Sequence, residues 1–161
     1  MAVPKSKRQR ILEDVLRRLA FITEANGYSS DLGESVLMGE DPKLGPDDPA
    51  AIVVEVAPDQ GTMSGPRILA AIPIQVQAIV LASAYESPML AAEAIIRDIV
   101  VALEIDKGEA KANLSHALDG TSAKGFVYSG TGWLTRQAGS EFVGAFVSYV
   151  ANMERLWGDP D

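Results

Sequence analysis

Apolar residues near the start of the chain recur at helical spacing, which predicts an amphipathic helix from Lys5 to about Ala25. The expected buried stripe consists of Ile11, Leu12, Val15, Leu16, Leu19 and Ile22. The expected solvent side carries Arg10, Glu13, Asp14, Arg17 and Arg18. Asn26-Gly27 follows, and this dipeptide is expected to end the helix because glycine readily adopts the left-handed conformation of a C-cap.

Further along, the period of the pattern changes from that of a helix to that of a strand. Apolar and polar residues alternate within Ile68–Ala84, which predicts a long strand with one buried face. Pro73 lies inside it and lacks an N–H group, so its part of the strand is expected at a sheet edge or a bulge. Ala51–Ala57 predicts the hairpin partner, residues 58–66 an irregular and mobile tip, and Glu34–Met38 a weak strand.

The run Ile68–Ala84 also has to be considered as a membrane segment, because its seventeen residues carry no charge. A helix needs about 20 apolar residues to span a bilayer. The run is shorter than that and is interrupted by Pro73, Gln75 and Gln77. We therefore expect a strand here and no membrane association.

The second half of the chain predicts one more helix and one more hairpin. Ser87 offers an N-cap oxygen and Pro88 a first helical position, so a helix is expected from there to about Ile105. Residues 110–118 are expected to form one helical turn. The closing hairpin has arms at Phe126–Gln137 and Glu141–Met153, joined by residues 138–140. The order helix, hairpin, helix, hairpin predicts one α+β domain over residues 1–161, with an antiparallel or mixed sheet packed by two main helices. Segments 39–49 and 58–66 and a short C-terminal tail are expected to be flexible.

Charge and composition restrict the possible functions. The net charge is −8, yet six of the fourteen basic residues lie in the first helix, so the remainder is strongly acidic. Such a surface repels phosphates, which disfavours binding to duplex DNA. The chain has no cysteine, which excludes disulfides and thiolate chemistry. The basic run is too polar for the apolar core of a signal peptide, so secretion by that route is not expected.

Candidate catalytic and metal-binding residues are few. His116 is the single histidine and has no second imidazole or thiolate to join it around a metal. Asp41, Asp47 and Asp48 lack the Asp-Gly pattern of a calcium loop and predict a solvated acidic segment. Without a positioned histidine base, no serine is a plausible nucleophile. We expect neither enzyme activity nor a cofactor or metal, and we assign no site residues.

Glycines near the closing hairpin are better explained by packing than by ligand binding. Gly125, Gly130 and Gly132 surround Tyr128 and Trp133. The lysine and Ser/Thr of a phosphate loop do not follow them at the required spacing. A strand bulge or a close approach of side chains is therefore expected.

One resemblance covers most of the chain. The segment RQRILEDVLRRLAFITEANGYSSDLGESVLMGEDPKLGPDDPAAIVVEV resembles the start of tail terminator proteins of long-tailed (siphovirus-like) bacteriophages and prophages. Those proteins carry a basic helix, an NGY-like turn, a loop with Asp and Pro, and an apolar strand. The helix after Ser87-Pro88 and the closing hairpin with Trp133 are similar in order and spacing.

The resemblance implies a virion assembly protein. Such a subunit forms a six-membered ring on the tail tube, stops its polymerisation and presents a surface to the head–tail connector protein. DNA would pass through the pore without specific binding, and the protein would be found at the head–tail junction of the virion and in the host cytoplasm during assembly. Segments 39–49 and 58–66 are expected to contact tube or connector. Two alternatives stay open: another neck protein, such as an adaptor or stopper, and a small soluble binding module or enzyme.

Overall fold

A computed structural model describes residues 5–39, 44, 50–104 and 125–158. These residues contain two α-helices and six strands. In chain order they are α1 (Lys7–Leu19), β1 (Val36–Met38), β2 (Ala50–Val56), β3 (Gln60–Ser64), β4 (Arg67–Leu81), α2 (Pro88–Glu104), β5 (Phe126–Trp133) and β6 (Phe142–Leu156). Short 3₁₀ turns occur at Glu24–Asn26, Leu32–Glu34 and Ala82–Ala84. The predicted α+β class and the order of the main elements are confirmed.

The six strands form one mixed sheet in the order β1-β2-β4-β6-β5, with β3 paired to β4 beyond the end of β2. β1 runs parallel to β2, and the other pairs are antiparallel. The fifteen-residue strands β4 and β6 pair along their whole length, from Arg67 opposite Leu156 to Leu81 opposite Phe142. At about 3.4 Å per residue this central ladder is roughly 50 Å long.

Both helices pack on one face of the sheet, and the core lies between the helices and that face. Alternate residues of β4 and β6 point into it, as the period-two pattern predicted. The core is mainly aliphatic: it includes Ile11, Val15, Leu19, Ile22, Ile52, Val54, Ile72, Ile74, Val76, Val80, Ile95, Ile99, Val147 and the larger Tyr149.

The other face has no helix among the described residues. There a row of polar side chains crosses three strands, with Gln77 Nε2 donating to Glu55 Oε2 at 3.1 Å and Gln75 Nε2 to Ser148 Oγ at 3.3 Å.

Pro73 does not lie at a sheet edge, because β4 is an interior strand with Val150 of β6 opposite Pro73. On its other side, the pairing with β2 ends at Ile74 and the pairing with β3 begins at Ala71. The missing N–H therefore falls at the interruption between β2 and β3, where no ladder bond is lost. Ala57 N still donates to the Pro73 carbonyl at 3.1 Å.

The segment predicted as an irregular tip contains a strand instead. Gln60–Ser64 pairs residue by residue with β4, from Gln60 opposite Ala71 to Ser64 opposite Arg67. Gly65 has a positive φ of 61°, which allows the tight turn into β4. All five residues of β3 are exposed. The strand was not predicted because β3 is exposed along its whole length. Its sequence therefore lacks the alternation of apolar and polar residues from which a strand is predicted.

Helix α1 is shorter than predicted. Ser6 Oγ accepts from Gln9 N at 3.2 Å while Gln9 Oε1 accepts from Ser6 N at 2.9 Å, which forms a capping box. The helix ends at Leu19, and Asn26-Gly27 ends the 3₁₀ turn that follows rather than α1 itself. Helix α2 begins as predicted, with Ser87 Oγ accepting from Leu90 N at 3.2 Å.

Arg18 does not lie on the solvent side as predicted, since it is buried. Its guanidinium donates to the carbonyls of Ala102 at 3.2 Å and Leu103 at 3.5 Å, at the end of α2. The last carbonyls of a helix lack partners within it and carry partial negative charge, so a cation is stabilised there. Arg18 of α1 thus links the two helices, because its positive charge is held at the end of α2.

The two glycine-based expectations for the closing hairpin are confirmed. The pairing of β5 with β6 shifts between Tyr128 and Gly130, which is a bulge at Ser129. A Cβ built on Gly132 would lie 2.8 Å from the ring of Phe146, so the ring lies close over this glycine and would have to shift for any larger residue. The arms are Phe126–Trp133 and Phe142–Leu156, so the connection is longer than predicted. The helical turn predicted at residues 110–118 lies outside the described residues.

Candidate interaction surfaces

The structure does not describe the few residues considered for metal binding or catalysis. His116, Asp41, Asp47 and Asp48 lie outside the described residues. Within the described residues, no group of three or more His, Cys, Asp or Glu side chains is close enough to hold a metal ion. Among the residues that the structure describes, no helix is long and apolar enough to cross a membrane.

The loop after α1 is held by a buried carboxylate that the sequence analysis missed. Asp98 of α2 is only 1% exposed. Its Oδ2 accepts from Ser29 Oγ at 2.7 Å, from Ser30 Oγ at 2.8 Å and from Ser29 N at 3.1 Å. These three donors replace the water that a buried carboxylate loses. The serines of the NGYSSD segment are therefore structural.

A cavity of about 470 Å³ lies beside this loop. It is lined by the loop, by the end of β4 and by Tyr85, and its lining includes Glu24, Ser29, Ser30, Asp31 and Glu34. The hydroxyl groups of Ser29 and Ser30 are engaged by Asp98, and none of the lining residues is a histidine or cysteine. We find no convergent set of reactive groups in this cavity.

The structure brings the basic start of α1 together with the far ends of β4 and β6. Lys7 Nζ donates to the Glu154 carbonyl at 2.9 Å, and Arg8 forms an ion pair with Asp59 at 2.9 Å. We call this end of the molecule the basic end, and its cations are Lys5, Lys7, Arg8 and Arg10 around the start of α1 together with Arg67 and Arg155, which lie on opposite faces of the sheet. Three of these cations form ion pairs: Lys5 with Glu13 at 2.8 Å, Arg8 with Asp59 at 2.9 Å and Arg67 with Glu154 at 2.9 Å.

Large apolar side chains are exposed at the basic end, where β3, β4 and β6 extend past the helices. Trp157 is 68% exposed, and Met63, Leu69 and Leu156 are also exposed. The backbone here is nevertheless fixed, because Trp157 N donates to the Pro66 carbonyl at 2.7 Å. Exposed aromatic and sulfur-containing side chains on an ordered backbone are typical of protein interfaces.

A second surface with exposed aromatic residues lies along β5 and the outer side of α2. Trp133 is 52% exposed, and its Nε1 donates to Glu93 Oε1 at 3.0 Å. Tyr149 OH donates to Glu104 Oε1 at 2.8 Å, and the exposed Tyr128 meets the Tyr149 ring edge-on at 6.1 Å. We call this surface, formed by Glu93, Glu104, Tyr128 and Trp133, the acidic edge.

Arg97 lies on the same side of α2 as the acidic edge. Its guanidinium is 3.8 Å from the carboxylate of the buried Asp98. Arg97 is itself largely exposed, so this side of α2 presents the two carboxylates of Glu93 and Glu104 and one guanidinium.

The two surfaces lie far apart on the molecule. Trp133 is opposite Ala145 of β6, and Trp157 immediately follows the last residue of that strand. Ala145 and Trp157 are twelve residues apart, which corresponds to about 40 Å of extended strand. The sequence analysis did not find either surface, since their residues come from five separate stretches of the chain.

Three buried or half-buried tyrosines predict alkaline sensitivity. Burial, followed by the hydrogen bond to Glu104, raises the pKa of Tyr149. Burial and then the charge of Asp98 raise the pKa of Tyr28 and of Tyr85. Above pH of about 10 an unfolded chain ionises its tyrosines while these three keep their protons, so the free energy of unfolding should fall as pH rises. The slope is about 1.4 kcal/mol per pH unit for each tyrosine involved.

Urea unfolding between pH 8 and pH 11 measures this effect. Tyr149→Phe should reduce the slope above pH of about 10. Tyr128→Phe changes an exposed tyrosine whose ring contacts that of Tyr149, so it should change the slope less than Tyr149→Phe does. Equal slopes for the wild type and Tyr149→Phe would contradict the assignment to Tyr149.

Comparison of the chain with models of known protein families and with curated proteins finds no match.

Proposed function

We propose first that the protein is a subunit of a self-assembling ring. The observation that carries this proposal is the exposure of both tryptophans at sites about 40 Å apart. An exposed aromatic patch is costly in a protein that works alone, because its apolar area stays in water. Two such patches at different places suit a subunit with a neighbour on each side.

Within that class, we propose that the protein is a phage tail terminator. The N-terminal resemblance supports it: the basic helix is α1, and the NGY-like turn is the loop that Asp98 holds. The apolar strand is β2. The proposed ring has six members, covers the end of the tail tube and thereby removes the surface on which the next ring of tube subunits would assemble. Its opposite face meets the head–tail connector.

The acidity of the chain supports passage of DNA through such a ring. A protein holds DNA mainly through cations placed against phosphates, each of which adds to the salt-dependent affinity. In this chain most of the clustered cations lie at the basic end, and the rest of the sequence is strongly acidic. A pore formed by the remaining surface would bind DNA weakly and let it slide.

The length of tail tubes tests the proposal. Tubes assembled in vitro from the tail tube protein encoded in the same genome should stop growing when this protein is added, and their ends should carry a ring in electron micrographs. An equal amount of heat-unfolded protein is the control. Continued growth with no ring at the tube ends would contradict the terminator function. Binding to filled heads but not to tubes would instead indicate the adaptor or stopper.

A further inference from the structure

We propose that Asn26 is a site of spontaneous deamidation, and that the hydrogen bonds of its loop keep this reaction slow while the loop is closed. The chain contains one Asn-Gly pair, Asn26-Gly27. Glycine has no side chain to cover its backbone nitrogen, so this pair offers the least hindrance to the attack that begins deamidation. The inference concerns the single chain and does not depend on the proposed ring.

The reaction needs no partner other than water. A base in solution removes the proton from Gly27 N, and this nitrogen forms a bond to Cγ of Asn26. The bond between Cγ and Nδ2 breaks, and the nitrogen leaves as ammonia. Water then opens the five-membered imide at one of its two carbonyl carbons, which yields aspartate or isoaspartate at position 26. The net change is the gain of one water and the loss of one ammonia, with no oxidation or reduction.

The hydrogen bonds of the turn oppose the first step. Gly27 N donates to the Glu24 carbonyl at 2.9 Å, so the proton that must leave is engaged. Asn26 Nδ2 donates to the Phe21 carbonyl at 2.9 Å, which fixes the side-chain amide against the residues that follow α1. The backbone of Asn26 is also held, because its N–H donates to the Thr23 carbonyl at 3.0 Å within the 3₁₀ turn. Attack on Cγ therefore requires the turn to open.

The residues that follow the turn hold it closed. Tyr28 is buried, and its ring meets that of Phe21 edge-on at 6.5 Å. Asp98 accepts the hydrogen bonds of Ser29 and Ser30, which come next in the chain. The Asn-Gly pair itself is exposed, so water and base reach it as soon as the turn is released. The rate of deamidation therefore follows the frequency of local opening, which Asp98 keeps low.

Modification would favour further opening of the loop. A carboxylate in place of the Asn26 amide has no N–H to donate to the Phe21 carbonyl, and the two oxygen atoms repel each other. The new negative charge joins those of Glu24 and Asp31 in the same turn, where Asp31 Oδ1 accepts from Glu24 N at 2.8 Å. Isoaspartate also adds a methylene group to the main chain. The modified fraction is therefore a record of how long the loop has been open.

The rate of deamidation tests the inference. Folded wild type and a synthetic peptide of residues 21–31 are incubated at neutral pH, and modification of Asn26 is followed by peptide mapping with mass spectrometry. The peptide is the unfolded reference. Asn26→Gln is the negative control, because its longer side chain forms the corresponding six-membered ring far more slowly. The folded protein should deamidate at least about tenfold more slowly than the peptide, since the turn reacts only in its open fraction.

A pair of variants separates opening of the loop from unfolding of the whole protein. Asp98→Ala should raise the rate in the folded protein about fivefold or more, because it releases the two serines that follow the turn. Ile72→Ala is the matched control. It also destabilises the protein, but it removes a buried side chain eight residues along β4 from Val80, which lines the cavity beside the loop. This control should change the rate by less than about twofold.

Circular dichroism checks that each variant is folded, and Ser30→Ala with Ile72→Val forms a milder pair for the same comparison. Two results would overturn the inference. A folded wild type that deamidates as fast as the peptide would show that the turn gives no protection. Equal acceleration by the loop variant and by its control in β4 would assign the reaction to global unfolding. Neither result bears on the ring, which the tube-length assay decides separately.

Discussion

Replacing Asp98 with alanine should lower the free energy of unfolding by about 3 kcal/mol. The carboxylate is buried and accepts hydrogen bonds from Ser29 N, Ser29 Oγ and Ser30 Oγ. Without it, these donors lose a charged acceptor, and water has limited access to the space that remains. Bonds to charged groups contribute about 1.5–3 kcal/mol each, and leaving buried partners unpaired adds the cost of their desolvation. Urea denaturation at pH 7 measures the change.

Two further variants separate the hydrogen bonds from a general effect of charge. Asp98→Asn keeps the shape and one acceptor oxygen, so it should lose about 1–2 kcal/mol. Glu86→Gln removes a charge at an exposed position just before α2 and should change stability by less than about 0.5 kcal/mol. If Asp98→Ala were as stable as the wild type, the loop would not depend on this carboxylate.

Replacing Gly33 with alanine should cost about 3 kcal/mol, because the new methyl group meets backbone and not a movable side chain. A Cβ at this position would lie 2.6 Å from the Ala20 carbonyl oxygen and 2.7 Å from that of Leu19, at the end of α1. The loop cannot simply withdraw, since Gly33 N donates to the Ile22 carbonyl at 2.8 Å. The thermal unfolding midpoint should fall by several degrees.

Gly130 provides the matched control for this substitution. A Cβ there would meet no atom within 4 Å, and Gly130 lies in a strand at the sheet edge. Gly130→Ala should therefore leave stability within about 0.5 kcal/mol of the wild type or raise it slightly. Similar losses in the two variants would show that a general effect of alanine in place of glycine, and not the contact with α1, determines the cost.

Much of the fold follows from local pattern, and the exceptions have physical causes. The helical stripe of α1 and the alternation in β4 depend on neighbouring residues, so both were predictable. Arg18 and Asp98 were not, because a charged residue is normally placed on the solvent side. Their burial is possible only because distant groups satisfy them: the end of α2 accepts from Arg18, and Ser29 and Ser30 donate to Asp98.

The candidate surfaces were less predictable than the fold. The basic run of α1 is visible in the sequence, but the contact of Lys7 with the Glu154 carbonyl exists only because β6 extends to the start of α1. Trp133 and Glu93 are forty residues apart in the chain and meet across a helix–strand contact. Surfaces of this kind depend on tertiary packing, which no periodicity within one segment specifies.

The position of β6 in the middle of the sheet has a consequence for synthesis on the ribosome. β6 is the last strand of the described chain, yet it lies between β4 and β5 and pairs with both. Until it emerges, β1, β2, β3 and β4 can form only a partial sheet whose long β4 edge is open. Pairing over such sequence separations forms slowly, and an open apolar edge can join another chain. The nascent chain is therefore most open to pairing with another chain before β6 is made.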